Sequence, residues 1–345
     1  MATKQLGIIL NGATGRICRT QHMRGGLVPI RDEGGLTVGD DQIVPRMLLA
    51  GRNEDRLAEV AREYGIEEWT TDLDSALADP DFPVFFDAAA THLRLDTLNK
   101  AIDAGKHIYT EKPIAPTVAE GIELMKRADA KGLKHGAVED KLFLPGFRKL
   151  SNLMDRGFFG RVLGFKLEFG WWVFNGIEAE SQRPSWNYKK SGGGGLLSDM
   201  HPHWRYVIEG ILGPINHVSC AAWTAQPDRI DEDGNRYKVD VEDATATLLE
   251  MDSGARGIIN SSWATRVRGD DLVTFQIDGT DGSAVAGLRN CWTQSAADTP
   301  LIHGFNMGSG PETMDFYEDY NAQWKGVPEV APYKNPYRFG WEGFI

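Results

Sequence analysis

Leu6-Gly7-Ile8-Ile9-Leu10-Asn11-Gly12-Ala13-Thr14-Gly15-Arg16 is the stretch on which the fold turns. An apolar run ends at a pair of spaced glycines, and helical spacing follows through Met23: strand, glycine turn, helix. Downstream the rhythm repeats. Met47 to Ala50 reads as a buried strand, Asn53 to Tyr64 as a helix, Val84 to Ala90 as a strand, and Leu93 to Ala104 as a helix stopped by Gly105. Lys106 to Thr110 is the next strand. Such alternation predicts an α/β fold with a doubly wound parallel sheet. Between Gly25 and Pro45, Leu36-Thr37-Val38 and Gln42-Ile43-Val44 are flanked by glycines, which suggests a hairpin inserted into the first βα unit.

Pro113 and Pro116 punctuate the chain and place a boundary there, with residues 1–115 as one domain and 116–345 as the other. Thr117 to Lys131 and Leu144 to Arg156 read as helices, with a strand at Leu133 to Val138. Longer alternating runs then appear: Leu163 to Trp172, His217 to Thr224, Ala244 to Met251, Gly257 to Trp263 and Leu272 to Ile277. They predict an open, mostly antiparallel sheet with one exposed or partner-covered face. A loop and helix, Arg183 to Leu212, separate the first two. At the end, Asn335-Pro336 starts a helix whose apolar face begins at Trp341 and stops at Ile345. A helix that short barely supports itself, which suggests that the native C-terminus extends further.

A net charge of −12 without basic runs disfavours nucleic acid, since phosphate neutralisation needs a clustered positive face. Cys18, Cys220 and Cys291 lie far apart without CxxC spacing, which argues for a reducing compartment. The N-terminus shows no signal-peptide pattern and no apolar run spans a membrane, so a cytoplasmic address is expected.

Four constellations carry chemistry. In the glycine turn, Leu10 stands where a full dinucleotide fingerprint has its first glycine, and Gly12 and Gly15 remain. Gly12 lets backbone N–H groups approach a pyrophosphate, with Ala13, Thr14 and Arg16 completing the turn at a helix N-terminus. A tight turn without a nucleotide is the plain alternative; the βα rhythm favours the nucleotide. After the second strand comes Gly51-Arg52-Asn53, where NAD sites usually carry an acid. Arg52 would pair with a 2′-phosphate, which favours NADP over NAD as the cofactor.

Third, Glu111-Lys112-Pro113 follows a strand at the edge where open α/β sheets bind ligands. Lysine loses its proton readily when desolvated near another cation, so Lys112 is a candidate proton carrier. Glu111 would orient Lys112 or a cofactor amide; a surface turn would look the same over three residues. Fourth, Gly192 to Gly195 leads into Leu196-Leu197-Ser198-Asp199-Met200-His201-Pro202-His203. The glycines let the chain press on a ligand or another backbone, and a helix is expected from about Asp199, with Pro202 in its first turn. Asp199 and His203 then share one face, an acid/base imidazole beside a carboxylate. Metal binding by Asp199, His201 and His203 is disfavoured for want of a further ligand cluster, so no metal is expected. Asp199 as a simple helix cap is the bland alternative.

Together these motifs resemble the glucose–fructose oxidoreductase / inositol dehydrogenase / rhizopine-catabolism (Gfo/Idh/MocA) family from Gly7 to about Ile345. The most specific parts are Gly105 to Pro113 and Gly193-Gly194-Gly195 with Asp199 and His203. The resemblance implies a Rossmann domain and an α/β domain whose open sheet makes homodimer or homotetramer contacts. It implies hydride transfer between a nicotinamide cofactor and a secondary alcohol or ketone of a sugar, polyol or glycoside. Lys112, Asp199 and His203 take the catalytic positions. Departures are Leu10, the Gly25–Pro45 insertion, and His201 where the family usually has glycine.

The hydroxyl proton is expected to leave to His203 or Lys112, the other holding the oxygen. Trp171, Trp172, Trp186 and Tyr188 lie near the glycine motif, suited to packing on a sugar face, while Arg183 and Asn187 donate to hydroxyls; core or oligomer contacts are the alternative for these aromatics. Lys141 is a further substrate candidate, and Thr91 and His92 follow a strand end near the cofactor. Two other functions stay open: a redox-cycling enzyme that cleaves glycosides with a retained cofactor, and a cofactor-sensing regulator without turnover.

Overall fold

The computed structural model describes residues 2–266, 272–299 and 320–345. The chain divides into one unit of Met1–Phe143 with Lys334–Ile345 and a second of Leu144–Tyr333. The crossing therefore lies at Phe143–Leu144, not at the 115/116 boundary that Pro113 and Pro116 suggested. Those prolines only shape a loop, after which the chain still adds one more strand to the first sheet.

In the first unit β1 (Ala2–Asn11) leads into a wide helix, Ile17–Leu27, closed by the Val28 N–H on the Met23 carbonyl five residues back, and then α1 (Val28–Asp32). The expected hairpin is present: β2 (Leu36–Val38) pairs antiparallel with β3 (Asp41–Ala50). β3 runs unbroken through Pro45, so the insertion and the next core strand are one element. There follow α2 (Glu54–Tyr64), β4 (Glu68–Thr70), α3 (Leu73–Ala78), β5 (Val84–Asp87), α4 (Thr91–Asp103), β6 (His107–Thr110), α5 (Val118–Ala130) and β7 (His135–Ala137). Local chemistry sets the ends. Asn53 and Asp72 cap α2 and α3, Thr117 and Glu120 form a capping box on α5, and Gly65 and Gly105 turn left-handed after α2 and α4.

The strands order as β2-β3-β1-β5-β6-β7, with β4 beside β3. Order reverses at β1, so the crevice beyond the carboxyl ends of β1 and β5 is the topological switch point. Both faces are buried: Ile8, Leu10, Leu49 and Phe86 pack on one side, Ile9, Phe85, Ile108 and Leu98 on the other. That accounts for the continuous apolar runs.

The second unit begins with α6 (Pro145–Asp155) and β8 (Val162–Gly170), then α7 (Leu196–Leu212) and β9 (Ile215–Trp223). A small hairpin, β10 (Asp228–Ile230) with β11 (Arg236–Lys238), precedes β12 (Ala244–Met251), β13 (Arg256–Ser262), β14 (Val273–Gly279), β15 (Gly282–Ala286), β16 (Cys291–Ser295) and β17 (Lys325–Gly326). The large sheet orders as β17-β16-β15-β14-β8-β13-β12-β9, antiparallel except for β8 beside β13. This is the open, mostly antiparallel sheet expected.

The last helix, α8 (Pro336–Phe344), belongs to the first unit, where packing supplies what its length does not. Trp341 is fully buried, Phe344 stacks on Tyr109 at 4.7 Å, and Arg338 reaches both Glu33 oxygens at 2.6 and 2.5 Å. Gly26 admits the indole: a Cβ there would lie 2.8 Å from Trp341 Cδ1. Gly26→Val is expected to destabilise the protein by about 1–3 kcal/mol through overpacking. Urea denaturation checks this; an unchanged midpoint would refute the close approach.

Candidate active site

Because the core strands of the first unit run parallel, their carboxyl ends share one edge, and most sequence-predicted cofactor residues fall there. Gly12 to Arg16 follow β1, Arg52 and Asn53 follow β3, Thr91 and His92 open α4 after β5, Glu111 and Lys112 follow β6, and Lys141 follows β7. The Val138 N–H bonds the Thr110 carbonyl at 2.8 Å, carrying β7 pairing up to the Lys112 segment.

The glycine turn is tight. Gly12 has φ +77°, and a Cβ there would lie 2.8 Å from the Ala88–Ala89 backbone. The Gly12 and Ala13 N–H groups both bond the Ala50 carbonyl, at 3.1 and 3.3 Å. No side chain caps the helix that starts at Ile17, so its N-terminus is open to an anion. Leu10, at the missing glycine, is wholly buried in the core, so the turn starts one residue beyond it, after Asn11. These residues fit a dinucleotide. At the end of β3 Arg52 is exposed, whereas Asn53 Oδ1 accepts the Arg56 N–H at 2.9 Å as the cap of α2.

Sequence reading missed the network beneath this edge. Asp87, without exposure, accepts from Asn11 Nδ2 at 2.8 Å and Arg94 Nε at 3.2 Å. Burial pushes its carboxyl up, and the Arg94 guanidinium and Asn11 amide oppose that. Arg94 also donates to the Pro113 carbonyl at 2.7 Å, tying the loop after Lys112 to α4. On the other side, buried His22 bonds the Glu111 carboxylate at 2.8 Å. The Lys112–Pro113 peptide is cis. An acid ending an apolar strand, as Asp87 does, was the signal available. Lys141 pairs with Asp140 at 2.7 Å, and the Asp140 and Glu111 carboxylates, after burial, push the Tyr337 phenol of α8 upward.

In the second unit α7 starts at Leu196, not near Asp199, and Pro202 lies inside it. The start moves upstream because Glu242 caps it: its carbonyl accepts the Leu196 N–H at 3.0 Å and its carboxylate the Leu197 N–H at 2.9 Å. Gly192 and Gly194 face another backbone, whereas Gly195 lies against the Glu242 carboxylate. A Cβ on Gly192 would lie 2.6 Å from the Trp186 carbonyl, and one on Gly194 would overlap the Asn187 carbonyl. Asp199 and His203 share a face of α7, and Arg183 reaches Asp199 at 3.4 Å. Trp186 is exposed and Trp172 half-buried beneath the Arg266 guanidinium at 3.5 Å.

Tyr188, expected among the substrate contacts, is instead core. It is fully buried, with its hydroxyl 2.6 Å from Ser181 Oγ and donating to the Phe174 carbonyl at 2.9 Å. Asn187 is buried as well. Beneath them Arg229 holds the Phe174 and Asn175 carbonyls and pairs with Asp243 at 2.5 Å, neither partner exposed. His201 turns to Thr245 Oγ1 at 2.9 Å. Among the described residues no cluster of His, Cys, Asp or Glu is arranged to hold a metal ion.

Residues 147–285 match the GFO/IDH/MocA C-terminal domain, and residues 41–137 match the oxidoreductase family NAD-binding Rossmann fold. The chain is 46% identical to D-xylose dehydrogenase of Paenarthrobacter nicotinovorans, over 98% of this chain and 87% of that protein. It is 29% identical to levoglucosan dehydrogenase of Pseudarthrobacter phenanthrenivorans, over 70% of this chain and 64% of the relative. A levoglucosan dehydrogenase structure in complex with NADH and L-sorbose matches at TM-score 0.76 and 25% identity, over 98% of this chain and 88% of that one. The chain belongs to the GFO/IDH/MocA family and is a nicotinamide-dependent oxidoreductase that moves a hydride to or from a CH–OH group.

Burial lowers the His201 pKa from 6.5 to about 4. Between those values the unfolded chain binds the proton and the folded chain does not, so stability rises with pH across that window and is lost as pH falls through it. His201→Gln is expected to remove this contribution, which is on the order of a few kcal/mol at pH 4. Denaturant titrations of both proteins from pH 7 to pH 4 test it; parallel losses would refute it.

Proposed function

We propose that this protein is an aldose dehydrogenase, oxidising a ring hydroxyl of D-xylose or a closely similar free sugar. The identity to D-xylose dehydrogenase across almost the whole chain carries this reading. Arg183 beside Asp199 on α7, with Trp186 exposed nearby, supplies donors and a flat apolar surface suited to a hydroxylated ring. The nicotinamide, when bound, accepts the hydride. Lys112 and His203 are the two groups assigned to the hydroxyl: one takes its proton and the other holds the oxygen. Asp199, one turn from His203, orients that imidazole.

Exposed Arg52, with no carboxylate at the end of β3, supports acceptance of NADP and its preference over NAD. The cysteines Cys18, Cys220 and Cys291 are unlinked, which supports a reducing, cytoplasmic setting. Absorbance of the reduced nicotinamide, followed with NAD and NADP over aldoses, inositols and anhydrosugars, tests the proposal. D-xylose is expected to give the highest kcat/KM, and Arg52→Ala to weaken NADP more than NAD. Lys112→Ala and His203→Ala should each lower kcat at least about a hundredfold. Glycoside cleavage without net reduced cofactor would instead favour redox cycling.

We also propose that the open sheet mediates self-association as a homodimer or homotetramer. Leu248 and Ile258 stand side by side on its exposed face, and edge strand β9 is exposed along nearly its whole length. Leu248→Glu with Ile258→Lys is expected to give monomers in sedimentation equilibrium. A wild-type monomer, or an unchanged mass for the variant, would refute it.

A further inference from the structure

β6 ends at Thr110, so Lys112 lies beyond the ladder that aligns the sheet. Its backbone is held through residues 111 and 113. Arg94 takes the Pro113 carbonyl at 2.7 Å. On the other side the Glu111 N–H bonds the Asp87 carbonyl at 2.9 Å, and its carboxylate meets His22 Nε2 at 2.8 Å. The bent backbone at Lys112 is therefore anchored on both sides, through Glu111 and through Pro113.

What holds Glu111 depends on which nitrogen of His22 carries the proton. The ring has no exposure and is boxed by Phe86 at 4.3 Å and Tyr337 at 5.0 Å. Trp341 Nε1 donates to His22 Nδ1 at 3.2 Å. An indole N–H only donates, so Nδ1 must present its lone pair and the proton sits on Nε2, facing the carboxylate. The opposite tautomer would set a lone pair against Glu111 and leave a buried carboxylate without its donor. The indole that decides this comes from α8, 319 residues further along the chain, and reaches the ring across Gly26.

We propose that His22 and Trp341 are positioning residues for Lys112: α8 fixes the His22 tautomer, His22 fixes Glu111, and Glu111 anchors the backbone at the lysine. The role of Lys112 itself rests on the reading above. Two measurements separate the claims. In ¹⁵N NMR of the cofactor-free protein with labelled histidine, His22, assigned through its loss in His22→Gln, is expected as a neutral ring protonated on Nε2 alone. Trp341→Phe, which keeps the ring and removes the N–H, should abolish that single tautomer. A wild-type His22 protonated on Nδ1 would overturn the proposal, whatever Lys112 does.

In kinetics, His22→Phe and Trp341→Phe should each lower kcat at least about tenfold, the scale of a modest misplacement of a reacting group. The sugar KM should change less than about threefold. His22→Gln, whose amide nitrogen stands in for Nε2, should recover most of the rate. If His22→Phe does not fold, Trp341→Phe decides alone. Wild-type kcat in Trp341→Phe, or no recovery in a folded His22→Gln, overturns the positioning role. Full activity in Lys112→Ala sinks the assignment of the lysine, with the tautomer result still standing or falling separately.

Discussion

A carboxylate with no exposure governs the edge of the first unit where the candidate site residues gather. Asp87 ends β5 at the switch point, where water is excluded, so its oxygens must be satisfied by protein donors. Asn11 at the end of β1, the Ala89 N–H and Arg94 from α4 supply them. Each donor belongs to a different local element, and satisfying one buried acid therefore aligns all of them. Arg94, once committed there, has its remaining nitrogens directed at the Ala89 and Pro113 carbonyls. The loop that carries Lys112 is thus built onto a network whose disruption would strand a buried charge. Such networks add little net stability against an apolar replacement, but breaking one partner is costly.

The second unit solves a similar problem with Arg229 and Asp243. Asp243 takes the Ala225 and Gln226 N–H groups at 2.6 and 3.1 Å, and Arg229 gathers the carbonyls of the segment that leads to Trp172 and Arg183. Next to Asp243 in sequence, Glu242 caps α7, the helix on which Asp199 and His203 share one face. The candidate chemistry of each unit is therefore carried on buried polar frames assembled from distant residues.

Much of this was legible in the sequence. Apolar runs at β1, β3, β5 and β6, each closed by a glycine or a polar turn, are what a sheet buried on both faces requires, and the capping residues of α2 and α5 mark their starts. Asp199 and His203 could be paired from spacing alone. Less was visible where a residue's role depends on a partner far along the chain. Tyr188 looked like a ligand-facing aromatic, yet its hydroxyl is taken by Ser181 and Phe174. The α7 start was misplaced because its cap, Glu242, lies 45 residues downstream of Leu197.

Periodicity and turn chemistry are local, so the chain by itself determined the parallel and antiparallel character of its two sheets, the glycine turn and the EKP loop. Only the tertiary structure decided that α8 returns to the first unit and that an indole there selects the proton position on His22. Burial and hydrogen-bond partners across hundreds of residues leave no periodic trace, because they are properties of the packed interior and not of neighbouring side chains.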